Sequence, residues 1–390
     1  MYIHQLKNWP KFQWDEPAIL PQLAAARHQQ GRLLGKMEGI GFSLQEEATL
    51  QTLTQDVVKS SEIEGEILDA AQVRSSIARR LGMEIAGLTP SDRNVDGVVE
   101  MMLDATQSYQ DPLSEDRLFG WHAALFPTGR SGMHKIAVGH WRNNSKEDPM
   151  QVVSGPMGRE IVHYQAPDAE LLASEMGRFI EWFNSNLSLD PVLKAGIAHL
   201  WFVTIHPFDD GNGRIARAIA DMQLARADQT AQRFYSMSAQ IRIERNRYYD
   251  MLEYTQKGTL DITEWLTWFL DCYGRALQST DQTLAKVMAK ARFWDNPATR
   301  AINERQRLML NKLLESFEGK LTSSKWAKIA KCSQDTAGRD IQQLIKLGIL
   351  AKEEGGGRNT SYTLREVREW AKSFSRGAPA KDDWDINRDR

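Results

Sequence analysis

Cysteine is nearly absent: the chain has 390 residues and two cysteines, Cys272 and Cys332, far apart. That excludes a disulfide framework and any cysteine-based zinc spacing, and it fits a reducing compartment. Long hydrophobic runs are missing too. No stretch reaches the roughly 18 apolar residues that a membrane-crossing helix needs. The first residues, Met1-Tyr2-Ile3-His4-Gln5, lack the basic-then-apolar pattern of a secretory signal, so a cytoplasmic location is the expectation. Net charge is small, −2 from 49 Lys and Arg against 51 Asp and Glu. This argues against a chain-wide nucleic-acid coat while leaving room for a local basic patch. The remaining composition, 42% hydrophobic and 26% charged, is that of an ordinary globular chain. Its length allows two or three domains.

One stretch carries dense chemistry: His206-Pro207-Phe208-Asp209-Asp210-Gly211-Asn212-Gly213-Arg214-Ile215-Ala216-Arg217. Apolar segments at 195–205 and 219–227 flank it, so it reads as a loop between two buried helices, the second starting near Asn212. Gly211 and Gly213 have no Cβ, which lets backbone N–H groups close around a ligand. A helix N-terminus with its dipole is an anion site. Arg214 and Arg217 lie three apart and share a helix face, and their forks suit phosphate oxygens. Asp210 beside such a cradle suits Mg²⁺, which takes one or two carboxylates plus substrate phosphates. His206 at the loop entrance is a candidate base for an attacking hydroxyl. Singly, each feature is a turn, a helix stop or a solvated charge. In this order within one loop they suit transfer from a nucleoside triphosphate.

The stretch resembles the Fic-family motif His-x-Phe-x-(Asp/Glu)-Gly-Asn-Gly-Arg-x-x-Arg, and every specified position is matched. The resemblance implies a mainly α-helical Fic fold that transfers AMP from ATP to a protein hydroxyl. His206 is then the base, Asp210 the Mg²⁺ ligand, and Asn212, Arg214 and Arg217 the phosphate holders, with Gly211 and Gly213 in the nest. The family's phosphorylating branch has lysine where this chain has Gly211, which favours nucleotide transfer.

Around this centre the chain divides as follows. Residues 1–55 form an N-terminal helical region. Trp9, Phe12 and Trp14 open it and are expected to plug into a helical body. Helices follow at 18–39 and 44–59, the second N-capped by Ser43. Residues 56–280 form the catalytic domain. It begins with a stretch, 56–66, that on its residues alone is a charged helix end. Ser60, Glu64 and Gly65 match the family's inhibitory pattern (Ser/Thr)-x-x-x-Glu-(Gly/Asn), which implies Glu64 set against Arg217. Two β-prone runs, 151–153 and 160–164, separated by Gly-Pro-Met-Gly, read as a hairpin. By resemblance the hairpin is a flap over the site that pairs with an extended target segment, placing Ile161, Val162, His163 and Tyr164 by the nucleotide. The same resemblance places Tyr248, Tyr249 and Gln256 near adenine, although family members often have Asn at the last position.

Residues 281–303 are polar and are expected to link two domains. Residues 304–372 read as a winged helix-turn-helix with its second helix at 334–347. Lys325, Lys328, Lys331, Arg339 and Arg358 are candidate phosphate contacts, opposed by Asp335 and Asp340. Contact with DNA or with a protein is therefore open for this module. Residues 373–390 are an expected flexible tail.

The sequence reading is thus a protein adenylyltransferase using ATP and Mg²⁺, autoinhibited by Glu64. Its target is a Ser, Thr or Tyr hydroxyl of another protein or of the chain itself, and a homodimer is a candidate assembly. Two rivals are removal of AMP at the same site, with Glu64 positioning a water, and a DNA-binding regulator whose Fic domain senses nucleotide.

Overall fold

The computed structural model describes residues 1–83, 88–155, 158–186, 188–315, 317, 319–353 and 360–365. Arg358 and the residues 373–390 expected to form a flexible tail lie outside them. The chain is mainly α-helical and divides into two units, Met1–Val287 and Met288–Arg390. Among the described residues, no helix is long and apolar enough to cross a membrane.

The first unit opens with a short 3₁₀ helix (Ile3–Gln5) and a run of turns, and its Trp9 and Phe12 rings meet Trp201 edge-on at 6.3 and 5.8 Å. The Trp9 indole N–H donates to Glu175 at 2.9 Å, so these aromatics do plug into the helical body. Helix α1 (Glu16–Glu38) is capped by Asp15. Helix α2 (Phe42–Ile63) starts at Gly41 without a side-chain cap. Ser43 therefore sits inside the first turn, contrary to its expected capping role. The helix also runs four residues past the expected end at Lys59, because nothing from 44 to 63 breaks it. It stops at a Schellman motif: Glu66 N–H donates to Ser61 O, Gly65 N–H donates to Glu62 O, and Gly65 takes φ +85°, which glycine adopts without penalty.

Helices α3 (Ala70–Arg80), α4 (Arg93–Gln107) and α5 (Glu115–Leu125) follow, then the short strand pair β1 (Arg130–Ser131) and β2 (His134–Lys135). Strands β3 (Gln151–Ser154) and β4 (Ile161–Gln165) form the expected hairpin, antiparallel with a register shift between Val152 and Val153. Helix α6 (Leu172–Asn184) leads to α7 (Pro191–Ile205), whose residues from Val192 on are all buried. Helix α8 (Asn212–Asp228) packs along α7, and together they form the floor on which the motif loop stands. Helices α9 (Met237–Ile243) and α10 (Arg245–Gln256) close one side.

Helix α11 (Thr263–Asp295) changes the expected domain plan. Residues 281–295 continue this helix, so the first half of the expected linker is regular. Its Gln, Ala, Lys, Met and Arg residues are good helix formers, and the first proline comes at 297. The second unit holds α12 (Glu304–Glu315), α13 (Ser323–Ile329), α14 (Gln334–Lys346) and the antiparallel pair β5 (Leu350–Lys352) and β6 (Tyr362–Leu364). Leu321 bridges to Tyr362 on the outer side of β6. Trp326, Met309, Ile341, Leu344 and Leu350 form its core.

Candidate active site at the α7–α8 loop

The loop begins with an unusual backbone. His206 caps α7 at φ +52°, ψ +58°, the left-handed region that few non-glycine residues occupy. Arg142 holds it there. Its guanidinium donates to the carbonyls of His206 (2.8 Å) and Pro167 (2.6 Å), and its backbone N–H donates to Pro207 O. The His206 ring is partly buried, with Nδ1 3.3 Å from the Val203 carbonyl. A carbonyl only accepts, so Nδ1 carries the proton and Nε2 keeps its lone pair. Burial pushes the imidazole pKa down to about 4; the Val203 carbonyl, Asp210 and Glu64 pull it up and Arg142 pushes it down. The ring is therefore neutral at pH 7 and can take a proton.

The rest of the loop is braced from within. Phe208 is buried, stacked on His122 at 4.2 Å and tilted against Trp141 at 5.1 Å. The Asn212 side chain accepts from Phe208 N–H at 3.0 Å and donates to Phe208 O at 2.8 Å. Its side-chain amide thus braces the loop, which leaves its backbone N–H at the start of α8 as the group free to face an anion. Asp209 accepts from Ala137 N–H at 2.8 Å. Asp210 accepts from Gly211 N–H at 2.6 Å and from Ser131 Oγ. Gly211 has φ +80°, and a Cβ there would lie 2.9 Å from the Phe126 ring.

At the N-terminus of α8 the two motif arginines are buried, and carboxylates meet both. Arg217 Nη2 is 2.8 Å from Glu64 Oε1; the same guanidinium donates to Ser60 Oγ and Ser60 O, each at 2.9 Å. Burial works against the Arg217 charge, but Glu64 and the nearby tyrosines outweigh it, so its pKa is raised. Arg214 pairs with Glu66 at 2.7 Å and stands 5.1 Å over the Phe126 ring. A Cβ on Gly213 would lie 2.2 Å from Glu64 Oε1. The carboxylate therefore rests on the helix N-terminus itself. Among the described residues, Arg217 Nη1 and Arg214 Nε are buried without a hydrogen-bond partner. Such orphan donors cost about 1–3 kcal/mol each, and they fit a site made to receive anionic oxygens.

The other expected site residues divide into two groups. Tyr249 faces Glu64, its hydroxyl 3.4 Å from Oε2 and 3.3 Å from Ile63 O. Ile161 and Val162 are exposed on β4. His163 Nδ1 meets Glu253 at 2.6 Å and Nε2 meets Ser154 Oγ at 2.6 Å, clipping the hairpin to α10. Tyr248, Tyr164 and Gln256 are core residues with polar atoms on protein partners. These partners are His199 for Tyr248, the Thr204 carbonyl for Tyr164, and the Thr204 hydroxyl for Gln256. Sequence reasoning missed Arg142, Ser131 and Glu66. Only Glu66 had a usable signal, being adjacent to the Glu64-Gly65 pair.

Comparison with known proteins agrees with this geometry. Residues 112–224 match the family described as Fic/DOC, and residues 2–83 match a domain of unknown function, DUF4172. The chain is 28% identical over 237 residues to the protein adenylyltransferase Fic of Drosophila yakuba, covering 57% of this chain and 41% of that one. It is 28% identical over 236 residues to the protein of the same name from Culex quinquefasciatus, covering 59% and 42%. It thus spans about two fifths of the length of these curated relatives. A crystal structure of a Fic family protein from Desulfovibrio desulfuricans G20 shares the fold at a TM-score of 0.52 and 19% identity, over 90% of this chain and 97% of that one. Motif, helical fold and family match thus converge on one region, a Fic/DOC-like domain at residues 112–224.

Proposed function

We propose that the chain is a protein adenylyltransferase that moves AMP from ATP to a hydroxyl side chain of a protein. The hydroxyl oxygen attacks the α-phosphorus, the bond from that phosphorus to the bridging oxygen breaks, and pyrophosphate leaves. The hydroxyl proton passes to His206 Nε2. One observation carries the reading: a neutral imidazole with its lone pair on Nε2 stands in the same short loop as a helix N-terminus backed by two buried arginine donors. Positioning and fixed charge supply most of the acceleration in such a transfer. The 28%-identical relatives named protein adenylyltransferase support the same reading.

Mg²⁺ fits Asp210. Hydrogen bonds from Gly211 and Ser131 orient this carboxylate and leave further lone pairs for a cation. A cation that arrives on nucleotide phosphates needs only one or two protein carboxylates. When bound it would neutralise phosphate charge.

The proposed resting state is inhibited. Glu64 sits where an anionic oxygen would sit, between Arg217 and the α8 N-terminus, and the buried Ser60 fixes the helix that carries it. ATP could then bind only with its terminal phosphate displaced. The reverse reading, in which Glu64 positions a water that removes AMP, draws on the placement of the Glu64 carboxylate against Gly213, in the same motif as His206. Incubation of wild type and Glu64→Gly with ATP radiolabelled at the α-phosphate tests both readings. Transfer predicts covalent label that rises in the variant. Removal predicts that wild type strips label from protein already modified by the variant, and that the variant cannot.

A further inference from the structure

Charge is segregated along the chain although its net value is nearly zero. Residues 1–287 hold 28 Lys and Arg against 37 Asp and Glu; residues 288–390 hold 21 against 14. A unit with a surplus of seven positive charges thus follows one with a deficit of nine. Such a surplus is the footprint expected of a partner with a polyanionic backbone.

The surplus has a definite place. Helix α14 buries Ala337, Asp340, Ile341 and Leu344 and exposes Asp335, Arg339, Gln342 and Lys346. These four fall at i, i+4, i+7 and i+11, one continuous stripe. The sequence sets two acids on this helix against nucleic acid, but the structure removes one. Asp340 faces inward, bonded to Arg305 at 3.1 and 3.3 Å and to Asn303 at 3.1 Å. Asp335 is the acid that stays outside. Lys328 on α13 and Lys331, at the turn into α14, are exposed beside the helix start. The Gln334 side chain donates to Ser324 Oγ at 2.9 Å, tying the starts of the two helices together. Lys352 on β5 is exposed as well.

We propose that this second unit binds duplex DNA, with the exposed face of α14 entering the major groove. Lys328, Lys331 and Lys346 contact phosphates. Arg339 and Gln342 reach base edges, where their side chains match guanine and adenine respectively. The helix pair α13–α14 has the order of a helix-turn-helix, whose second helix lies in the major groove. An acidic protein surface would satisfy the lysines, but it gives no use to an outward amide beside an outward guanidinium.

The test uses the full chain, whose sequence pI of about 6.5 keeps it from adsorbing to DNA through bulk charge near pH 8. A fluorescent 30-base-pair duplex of arbitrary sequence is titrated from 50 to 300 mM salt without ATP. The expected result is micromolar binding at low salt, with a slope of log K against log salt of about −3 from three phosphate contacts. Lys328→Ala with Lys331→Ala should reduce that slope by about 2 at unchanged thermal stability. Arg339→Ala with Gln342→Ala should leave the slope nearly intact and relax the base preference found by selection from genomic fragments. No binding at 50 mM salt, an unchanged slope in the lysine variant, or equal binding to polyglutamate overturns the proposal. Because no nucleotide is consumed, each of those failures leaves the reading of the AMP-transfer site untouched.

Discussion

His206 combines two properties that one backbone conformation makes compatible: its carbonyl is tied down by Arg142 while its ring keeps a basic nitrogen. Replacing it with alanine removes the base and leaves the α7–α8 floor in place. AMP incorporation should fall by about 10²–10⁴-fold with unchanged thermal stability; activity within twofold of wild type would take the residue out of the mechanism. Its pKa is lowered to about 4 by burial, so it becomes protonated only as pH falls through that value. Incorporation should therefore hold between pH 7.5 and 5.5, and a decline with a midpoint near 6.5 would contradict the neutral base. On the proposed inhibition, Glu66 is a smaller brake than Glu64. Its side chain is 36% exposed against 7% for its partner Arg214, so solvent screens the pair. Glu66→Gln should raise self-labelling up to about fivefold, as the roughly 0.2–1 kcal/mol of such a pair allows. A gain equal to that of Glu64→Gly would mean that the two carboxylates act as one unit.

At the scale of elements, the motif loop depends on groups far from it in the chain. Arg142 satisfies buried carbonyls through a planar fork, which lysine cannot reproduce. Arg142→Lys should lower the melting temperature and reduce transfer more than the stability loss accounts for. Normal transfer in a folded variant would show that the loop holds itself. The loop, its helices and the hairpin were legible in the sequence because glycines at fixed places and apolar runs of helical period dictate them. The clamp was not, because Arg142 lies 64 residues upstream in an irregular segment and resembles any surface arginine. The bracing role of Asn212 was hidden for a related reason: an amide can serve a phosphate or a backbone, and only the distances to Phe208 reveal the brace. Helix α11 was cut short in the reading because polarity was taken as a boundary, although a polar run without glycine or proline continues a helix readily.

For the whole molecule, burial leaves four histidines with lowered pKa: His4, His122 and His206 at about 4, and His199 at about 3. In each, burial is the leading cause. The folded state keeps them neutral, whereas unfolding lets them take protons below about 6.5. Their contribution to stability is therefore complete above that pH and is lost as pH falls from 6.5 towards 4. The melting temperature should drop by at least about 5 °C across that window; a flat profile would mean that these rings are charged in the fold. The division at Val287 predicts that a chain ending there keeps self-labelling and loses DNA association. A folded but inert truncation would show that the catalytic unit extends further.

The central claim is that His206 serves as the base for AMP transfer and that Glu64 restrains the reaction by occupying Arg217. The direct measurement is a time course of α-phosphate label entering wild type, Glu64→Gly, and Glu64→Gly combined with His206→Ala. A charge-assisted bond of about 1.5–3 kcal/mol predicts that Glu64→Gly labels roughly ten- to a hundredfold faster than wild type, and that the double variant returns to background. Equal labelling of wild type and Glu64→Gly, or undiminished labelling in the double variant, would contradict the account.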